Sequence, residues 1–248
     1  MEIIDKSIRG RFRELNEDRT GVFYNGTNQV LFLVADGMGG HAHGDVASKF
    51  VNDEIQAAWE QENLIKSGQA EAFLRELVIR TNRRLHDLQQ SRPDYRGMGT
   101  TLVLAAIIED IIFILNVGDS RAYVVRHRAI EQVTRDHSFV NLLVESGEIS
   151  EEEAQNHPKR NIITKAMGTD RLIQPDIFRL RNRQYDYILL ASDGLTDVLR
   201  EDDIHRTLYQ RELTLNERLD SLIEQAEANA SKDNISACLA DLKVGAGM

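Results

Sequence analysis

The sequence predicts an α+β fold in which antiparallel sheets are covered by helices. Three observations point to it: strands arranged as hairpins, helices grouped in blocks rather than alternating with strands, and no linker-like break along 248 residues. Short runs rich in Val, Ile, Leu and Tyr predict strands at TGVFY, VLFLVAD, TLVLAAIIE, IIFILNV, RAYVV, YDYILLAS and ISACLADL. Asn25-Gly26 is a hairpin-turn signal between the first two. Glu109-Asp110 leaves almost no connecting length between the third and fourth, which predicts an antiparallel pair.

Helical periodicity follows in two long stretches. Val46, Phe50, Ile55 and Trp59 fall near one face, and Phe73, Leu77, Leu85 and Leu88 do likewise. A third helix is expected over 216–230, with Leu219, Leu222, Ile223 and Ala226 on one side. The insert 136–168 differs: it is polar, and Ser150 and Glu153 have capping-box spacing. Short helices forming a flap on a single domain spanning 1–248 are expected.

Composition narrows the function. Hydrophobic residues make up 42% and charged residues 28%, an ordinary globular balance. Forty acidic residues against thirty basic ones give a net charge of −10, which argues against nucleic acid as the main partner. Cys238 is the only cysteine, so an intrachain disulfide is excluded and a reducing, cytoplasmic setting is expected. MEIIDKSIRG lacks the pattern of a signal peptide, and the longest apolar run, Leu102 to Ile108, is too short to span a bilayer. No membrane insertion is expected, and a monomer is the default.

Three aspartates share one local grammar, an apolar run followed by Asp-Gly or Gly-Asp: Asp36 in LVADG, Asp119 in ILNVGDS and Asp193 in ILLASDG. Asp233 in SKDN precedes ISACLADL, and Asp18 in RELNED precedes TGVFY. A single Asp-Gly signals only a turn. Several at strand mouths converge if the strands share a core. Two such charges ~4 Å apart repel by ~4 kcal/mol at an effective dielectric near 20, a large part of a domain's ~5–15 kcal/mol total stability. Either the acids are dispersed or cations sit among them. Oxygen ligands without a cysteine or histidine set point to Mg²⁺ or Mn²⁺ rather than structural zinc. Arg13, five residues before Asp18, is the natural bidentate partner for a phosphate monoester beside such a centre.

With these residues in view, the sequence resembles the PPM, or type 2C, family of metal-dependent Ser/Thr protein phosphatases. It is most similar to compact bacterial members that oppose eukaryotic-like Ser/Thr kinases. The matching pieces run nearly end to end in family order: RELNED, VADGMGGHAHGDVAS, GMGTT, NVGDSRAY, ITKAMGTD, LLASDGLTD and SKDNIS. The resemblance implies a four-layer αββα sandwich with a mobile flap over about 136–168. It implies two catalytic Mg²⁺ or Mn²⁺ ions, with Asp36 bridging both and the Gly37 carbonyl on one. Asp193 and Asp233 would complete the first shell, Glu17 and Asp18 would stand at or behind the second ion, and Asp119 would join Asp193 at a third. Arg13 would hold the phosphate of a phosphoserine or phosphothreonine protein, with attack by a metal-bridging hydroxide. A cognate kinase is an implied partner.

One position departs from the family pattern. Many eukaryotic members carry a histidine directly after the Asp-Gly as general acid, and here Met38 stands there, unable to donate a proton. His41 is the nearest replacement, with a structural or supporting role favoured over that of acid. His137 and His157 carry no assigned role. A dehalogenase-type phosphohydrolase would need Asp-x-Asp, which Met38 breaks. The other competing reading, a catalytically silent regulatory or binding module, conflicts with the full complement of acids.

Overall fold

Side-chain alternation along the strands sets the layers. In a computed structural model, which describes residues 1–38 and 43–243, the chain begins with β1 (Glu2–Ile8), β2 (Arg19–Tyr24), β3 (Val30–Ala35) and β4 (Gly37–Met38). Helices α1 (Gly44–Glu60) and α2 (Ser67–Ser91) lead to β5 (Gly99–Thr100), β6 (Leu102–Ile108), β7 (Ile111–Val117), β8 (Arg121–Arg126) and β9 (Ala129–Gln132). Then come α3 (Phe139–Glu145), α4 (Glu151–Gln155), β10 (Asp176–Arg181), β11 (Tyr187–Ala191), α5 (Asp193–Thr196), α6 (Glu201–Leu208), α7 (Leu215–Ala228) and β12 (Ile235–Asp241). One sheet has the order β1-β12-β11-β8-β9 and the other β10-β7-β6-β3-β2, with antiparallel pairing throughout.

In β3, Leu31, Leu33 and Ala35 pack toward α1 and α2, whereas Val30, Phe32 and Val34 face the other sheet. In β11, Leu189 and Ala191 pack against α6 and α7, whereas Ile188 and Leu190 fill the space between sheets. Both faces of each central strand are therefore buried, which is why these runs are continuously apolar. Each fully buried Leu or Ile contributes ~1.5–3 kcal/mol, and together they hold the four αββα layers. Cys238 lies in the inter-sheet core, its thiol donating to the Leu33 carbonyl at 3.1 Å.

The helices follow their patterns with one rotation. In α1 the fully buried face is Ala47, Val51, Ile55 and Trp59, while Val46 and Phe50 are only partly buried. In α7, Leu219, Leu222, Ile223 and Ala226 are buried as expected, behind a Thr214–Glu217 capping box. The Ser150–Glu153 capping box opens α4. Five strands escape the sequence patterns: the two-residue β4 and β5, and the edge strands β1, β9 and β10, each paired with one neighbour in its sheet. The charged residues of these three suit an edge, where one side is left unpaired. The hairpin expected at Asn25-Gly26 forms, with Tyr24 paired to Val30 across it. The β2–β3 connection is longer than two residues, with the Asn25 side chain accepting from the Thr27 and Gln29 amides and Asn28 taking φ 60°. Glu109 (φ 57°) and Asp110 form the tight turn expected between β6 and β7.

Register brings the important strand ends together. Arg19 pairs with Ala35, Leu102 with Val117, and Ala191 with both Ala237 and Arg121. Asp18, Asp36, Asp119, Asp193 and Asp233 are the residues flanking those ends, so all lie along one rim of the sandwich. Among the described residues no helix is long and apolar enough to cross a membrane.

Candidate metal centre

Asp36 is held by its backbone. Its amide donates to Thr101 Oγ1 (3.0 Å), and its carbonyl accepts from the Thr101 amide and Thr100 Oγ1 (both 2.8 Å). The GMGTT segment thus clamps the residue at the end of β3. Gly37 follows in a space that excludes a side chain: a Cβ there would lie 2.3 Å from the Gly44 carbonyl oxygen and 2.5 Å from that of Glu17. A Cβ on Gly44 would meet Glu17 Oε1 and the Gly37 carbonyl oxygen, each at 2.8 Å. Two oxygens of different segments therefore face one small space. Ser48 fixes the arrangement by donating to the Glu17 carbonyl at 2.5 Å.

Asp193 and Asp233 meet from the other sheet. Asp193 opens α5, and the next residue, Gly194, passes so close to the start of β12 that a Cβ would lie 1.9 Å from the Asn234 carbonyl oxygen. Asn234 organises the N-terminal segment: its Oδ1 accepts from the Glu17 amide (2.9 Å), and its Nδ2 donates to the Arg9 and Leu15 carbonyls (2.8 Å each). Ser192 Oγ donates to Asp18 Oδ2 at 2.9 Å.

The electrostatics give the rim its character. Burial, then the charges of Asp18, Asp193, Asp119 and Asp233, hold the Asp36 carboxyl well above the usual carboxylate range. Burial, then Asp119, Asp233, Asp197 and Asp18, do the same to Asp193. Asp18, only 1% exposed, is pushed up to about 6, chiefly by burial, against the stabilising hydrogen bond from Ser192. Asp119 is pushed up to about 7 by burial and next by Asp136. Oδ1 of Asp119 and Oδ1 of Asp193 are both buried without a hydrogen-bond partner among the described residues. A lone-pair oxygen buried among like charges is costly, and divalent cations remove that cost. The donor set fits hard ions. Among the described residues no three His, Cys, Asp or Glu side chains form a closed cage around one point.

The remaining expected residues fall into place unequally. Arg13 reaches the rim from the exposed segment before β2, where it donates to Asp233 Oδ2 at 2.5 Å and to the Lys232 carbonyl at 3.2 Å. Met38 lies on β4, paired with Gly99. His41, Gly39 and Gly40 lie outside the described residues. His137, without an assigned role from sequence, has a side chain only 12% exposed. Its Nδ1 accepts from the Gly118 amide at 3.0 Å and its amide donates to the Gly118 carbonyl at 2.9 Å, so it grips the residue before Asp119 from both sides. Nε2 faces Asp176 at 3.3 Å and Lys165 at 3.1 Å. Burial, then Lys165, lowers its pKa. Arg121 and Asp136 form a bidentate pair (2.6–3.0 Å) one strand position beyond Asp119's loop. Asn234, Ser192 and His137 carried no sequence signal of their own, apart from the position of each beside a rim aspartate or in a motif.

A model of protein phosphatase 2C matches residues 11–240. The chain belongs to the protein phosphatase 2C family. Its sequence is 40% identical over 237 residues to the serine/threonine phosphatase stp of Listeria monocytogenes, covering 95% of this chain and 94% of that one. The crystal structure of serine/threonine phosphatase Stp1 from Staphylococcus aureus superposes with a TM-score of 0.94 at 50% identity, covering 97% of this chain and 94% of that one. The catalytic domain of the serine/threonine phosphatase PstP in complex with two manganese ions gives a TM-score of 0.81 at 31% identity over 97% of each chain. The protein phosphatase 2C family depends on Mn²⁺ or Mg²⁺, in keeping with the carboxylate and carbonyl oxygens gathered at this rim. Two sheets between helical layers are the architecture of these phosphatases as well.

Proposed function

We propose that this chain is a Mg²⁺- or Mn²⁺-dependent phosphatase that removes phosphate from phosphoserine and phosphothreonine in proteins, reversing the action of a eukaryotic-like Ser/Thr kinase. The observation that carries the reading is the convergence of Asp18, Asp36, Asp119, Asp193 and Asp233 on one rim, with two buried carboxylate oxygens unpartnered there. Asp36, the Gly37 carbonyl, Asp193 and Asp233 would hold the two catalytic ions. Glu17 and Asp18 would support the second, and Asp119 with Asp193 would hold a third. When bound, the ions acidify water and neutralise charge on the phosphoryl group.

The chain's own residues bind and orient. Arg13 presents a planar guanidinium on an exposed segment, where it can leave Asp233 for a phosphate dianion and bind it through two hydrogen bonds. Asn234 holds that segment by the Arg9 and Leu15 carbonyls, on either side of Arg13, so the guanidinium starts from a fixed base. The leaving oxygen needs a proton, and the Met38 thioether cannot supply one. A water at the rim would serve as the donor in its place. The 136–168 flap, with its short helices α3 and α4, would border the substrate. A single catalytic domain working in the cytoplasm as a monomer completes the proposal.

Phosphate release from phosphothreonine and phosphotyrosine peptides, measured with Mn²⁺, with chelator, and for Asp36→Ala and Asp193→Ala, tests it. Turnover is expected on phosphothreonine, lost on chelation and in both variants. Activity that survives chelation would sink the dimetal reading, and an undiminished Asp193→Ala enzyme would refute the ligand assignment.

A further inference from the structure

At the end of the sandwich away from the aspartates, the strands begin on a different surface. A cavity of about 210 Å³ opens there, lined by His127, Tyr187, Tyr209, Arg211, Arg218 and Lys243. It lies at the start of β11, whose other end leads to Asp193. Six residues of extended chain separate the two, or about 20 Å at ~3.3 Å per residue, so the cavity is no part of the aspartate rim.

The aromatic rings in this cavity are already engaged. Tyr209 has His205 at 4.8 Å, His127 at 5.5 Å and the edge of Tyr187 at 5.6 Å, with the Lys243 ammonium over its ring at 5.9 Å. The Arg218 guanidinium lies over Tyr187 at 5.8 Å. These contacts leave little free ring face for a nucleobase or an apolar side chain. What the cavity offers is donors. Arg218 uses Nε on the Gln210 carbonyl (3.1 Å) and Nη1 on the Tyr187 hydroxyl (2.7 Å), leaving its other nitrogen and the Tyr187 proton uncommitted. Arg211 is exposed and makes no side-chain hydrogen bond among the described residues. Asp186 answers Lys243 (2.9 Å) and the Tyr209 hydroxyl. No carboxylate among the described residues pairs with either guanidinium. On a chain of net charge −10, Arg211, Arg218 and Lys243 against the carboxylates of Asp186 and Asp241 beside Tyr209 leave a local excess of cation around a concave, donor-rich space.

We propose that this cavity is a docking site for a second phosphorylated side chain of the substrate protein, remote from the one being hydrolysed. This rests on the reading of the chain as a phosphoprotein phosphatase. The cavity is smaller than the ~300–1,000 Å³ of a typical small-molecule site, which suits one anionic group rather than a whole metabolite. Two guanidinium groups and a hydroxyl match a phosphate monoester, with ~−1.5 to −2 charges and three acceptor oxygens, better than a singly charged carboxylate. A phosphate held here tethers the substrate and raises the local concentration of its other phosphorylated residue at the aspartate rim.

The test uses the Mn²⁺-loaded full chain and three peptides that share one phosphothreonine. Ten residues away they carry alanine, aspartate, or a non-hydrolysable phosphonate analogue of phosphoserine. With a local concentration in the millimolar range, the phosphonate is expected to lower KM about 3- to 10-fold with kcat unchanged, and aspartate to do much less. Arg211→Ala and Arg211→Ala/Arg218→Gln are expected to erase that gain while leaving turnover of the alanine peptide intact. Arg211 is exposed and makes no side-chain hydrogen bond among the described residues, so Arg211→Ala remains informative if the double variant folds poorly. Equal KM for all three peptides, a gain from aspartate equal to that from phosphonate, or a gain that survives in Arg211→Ala would overturn the docking site. Failure of the unaltered enzyme to hydrolyse the alanine peptide would instead fault the phosphatase reading itself.

Discussion

The same strands end in opposite chemistry. At one end of β11, Tyr187 accepts a hydrogen bond from Arg218 and its ring is covered by that guanidinium. At the other, Asp193 buries an unpartnered oxygen among four other carboxylates. The first end covers its rings with the chain's own cations and keeps donors to spare. The second is satisfied only when something positive arrives. Between them lies a core whose alternation leaves almost nothing to chance. The contrast teaches that the repulsion among buried carboxylates is concentrated at the rim and is supported by the stability of the layers beneath it.

Removing the repulsion should break the contrast most sharply. Asp36→Ala and Asp193→Asn are each expected to lower kcat/KM by ~10³-fold or more, in line with losing a preorganised electrostatic element. Both should raise the melting temperature of the chelated protein, because a repelling carboxylate is gone. A metal-free variant that melts below the unaltered chain would count against the repulsion argument. Gly44→Ala probes the space between Glu17 Oε1 and the Gly37 carbonyl, which its methyl would crowd at 2.8 Å. Manganese affinity, read by calorimetry, should fall ~10- to 100-fold while the fold is retained.

The pH dependence of the metal-free protein sharpens the comparison further. Asp18 (about 6) and Asp119 (about 7) titrate above the ordinary carboxylate value of 3.8, as do Asp36 and Asp193. The native state therefore retains protons that the unfolded chain releases, so their stabilising contribution is full below pH ~4 and is lost as pH rises through about 6–7. For Asp18 alone the difference is ~3 kcal/mol. Melting in chelator should fall by several degrees from pH 5 to pH 8, and Mn²⁺ should restore it at pH 8. A flat profile would show the carboxylates to be relaxed.

A subtler effect is expected at His137. Asparagine can place an acceptor where Nδ1 meets the Gly118 amide, whereas glutamine places its amide where Nε2 lies. His137→Asn should bind Mn²⁺ nearly as the unaltered chain does, and His137→Gln ~10- to 100-fold more weakly at its weakest site. Equal losses would reduce His137 to general packing. The smallest effect is expected for His41→Ala, which should leave the alkaline limb of the pH–rate profile nearly unchanged. Loss of that limb would identify His41 as the proton donor.

The comparison also explains what could be read from the sequence. Core strands such as VLFLVAD and YDYILLAS declare themselves because both faces are buried and the run must be apolar. The rim aspartates declare themselves because each is a charge placed immediately beside such a run. What stayed hidden depends on non-local partners. β1 is an edge strand with three charged residues in seven, and nothing in EIIDKSI names β12 as its partner. Asn234 bonds to Glu17, 217 positions away, and reads in sequence as an ordinary turn residue. His137 resembles any loop histidine until the fold brings Gly118 against both its ring and its backbone. Sequence exposes the chemistry of a residue, while its duty is set by contacts the chain makes only after folding.

The pairing of β1 with β12 has a consequence for how activity comes into being. The first strand has no other neighbour in its sheet, and the last strand carries Asp233 at its mouth and Asn234, which anchors the segment bearing Arg13. Folding that proceeds from the N-terminus therefore leaves the phosphate-binding arm untethered and the acidic rim incomplete until β12 is made. A chain cut before β12 would lack the anchor of Arg13 and the Ile235, Ala237, Cys238, Leu239 and Ala240 side chains that fill both faces of its sheet, so activity and core packing would be lost together. The closing strand thereby ties the chemistry of the rim to the packing of the core.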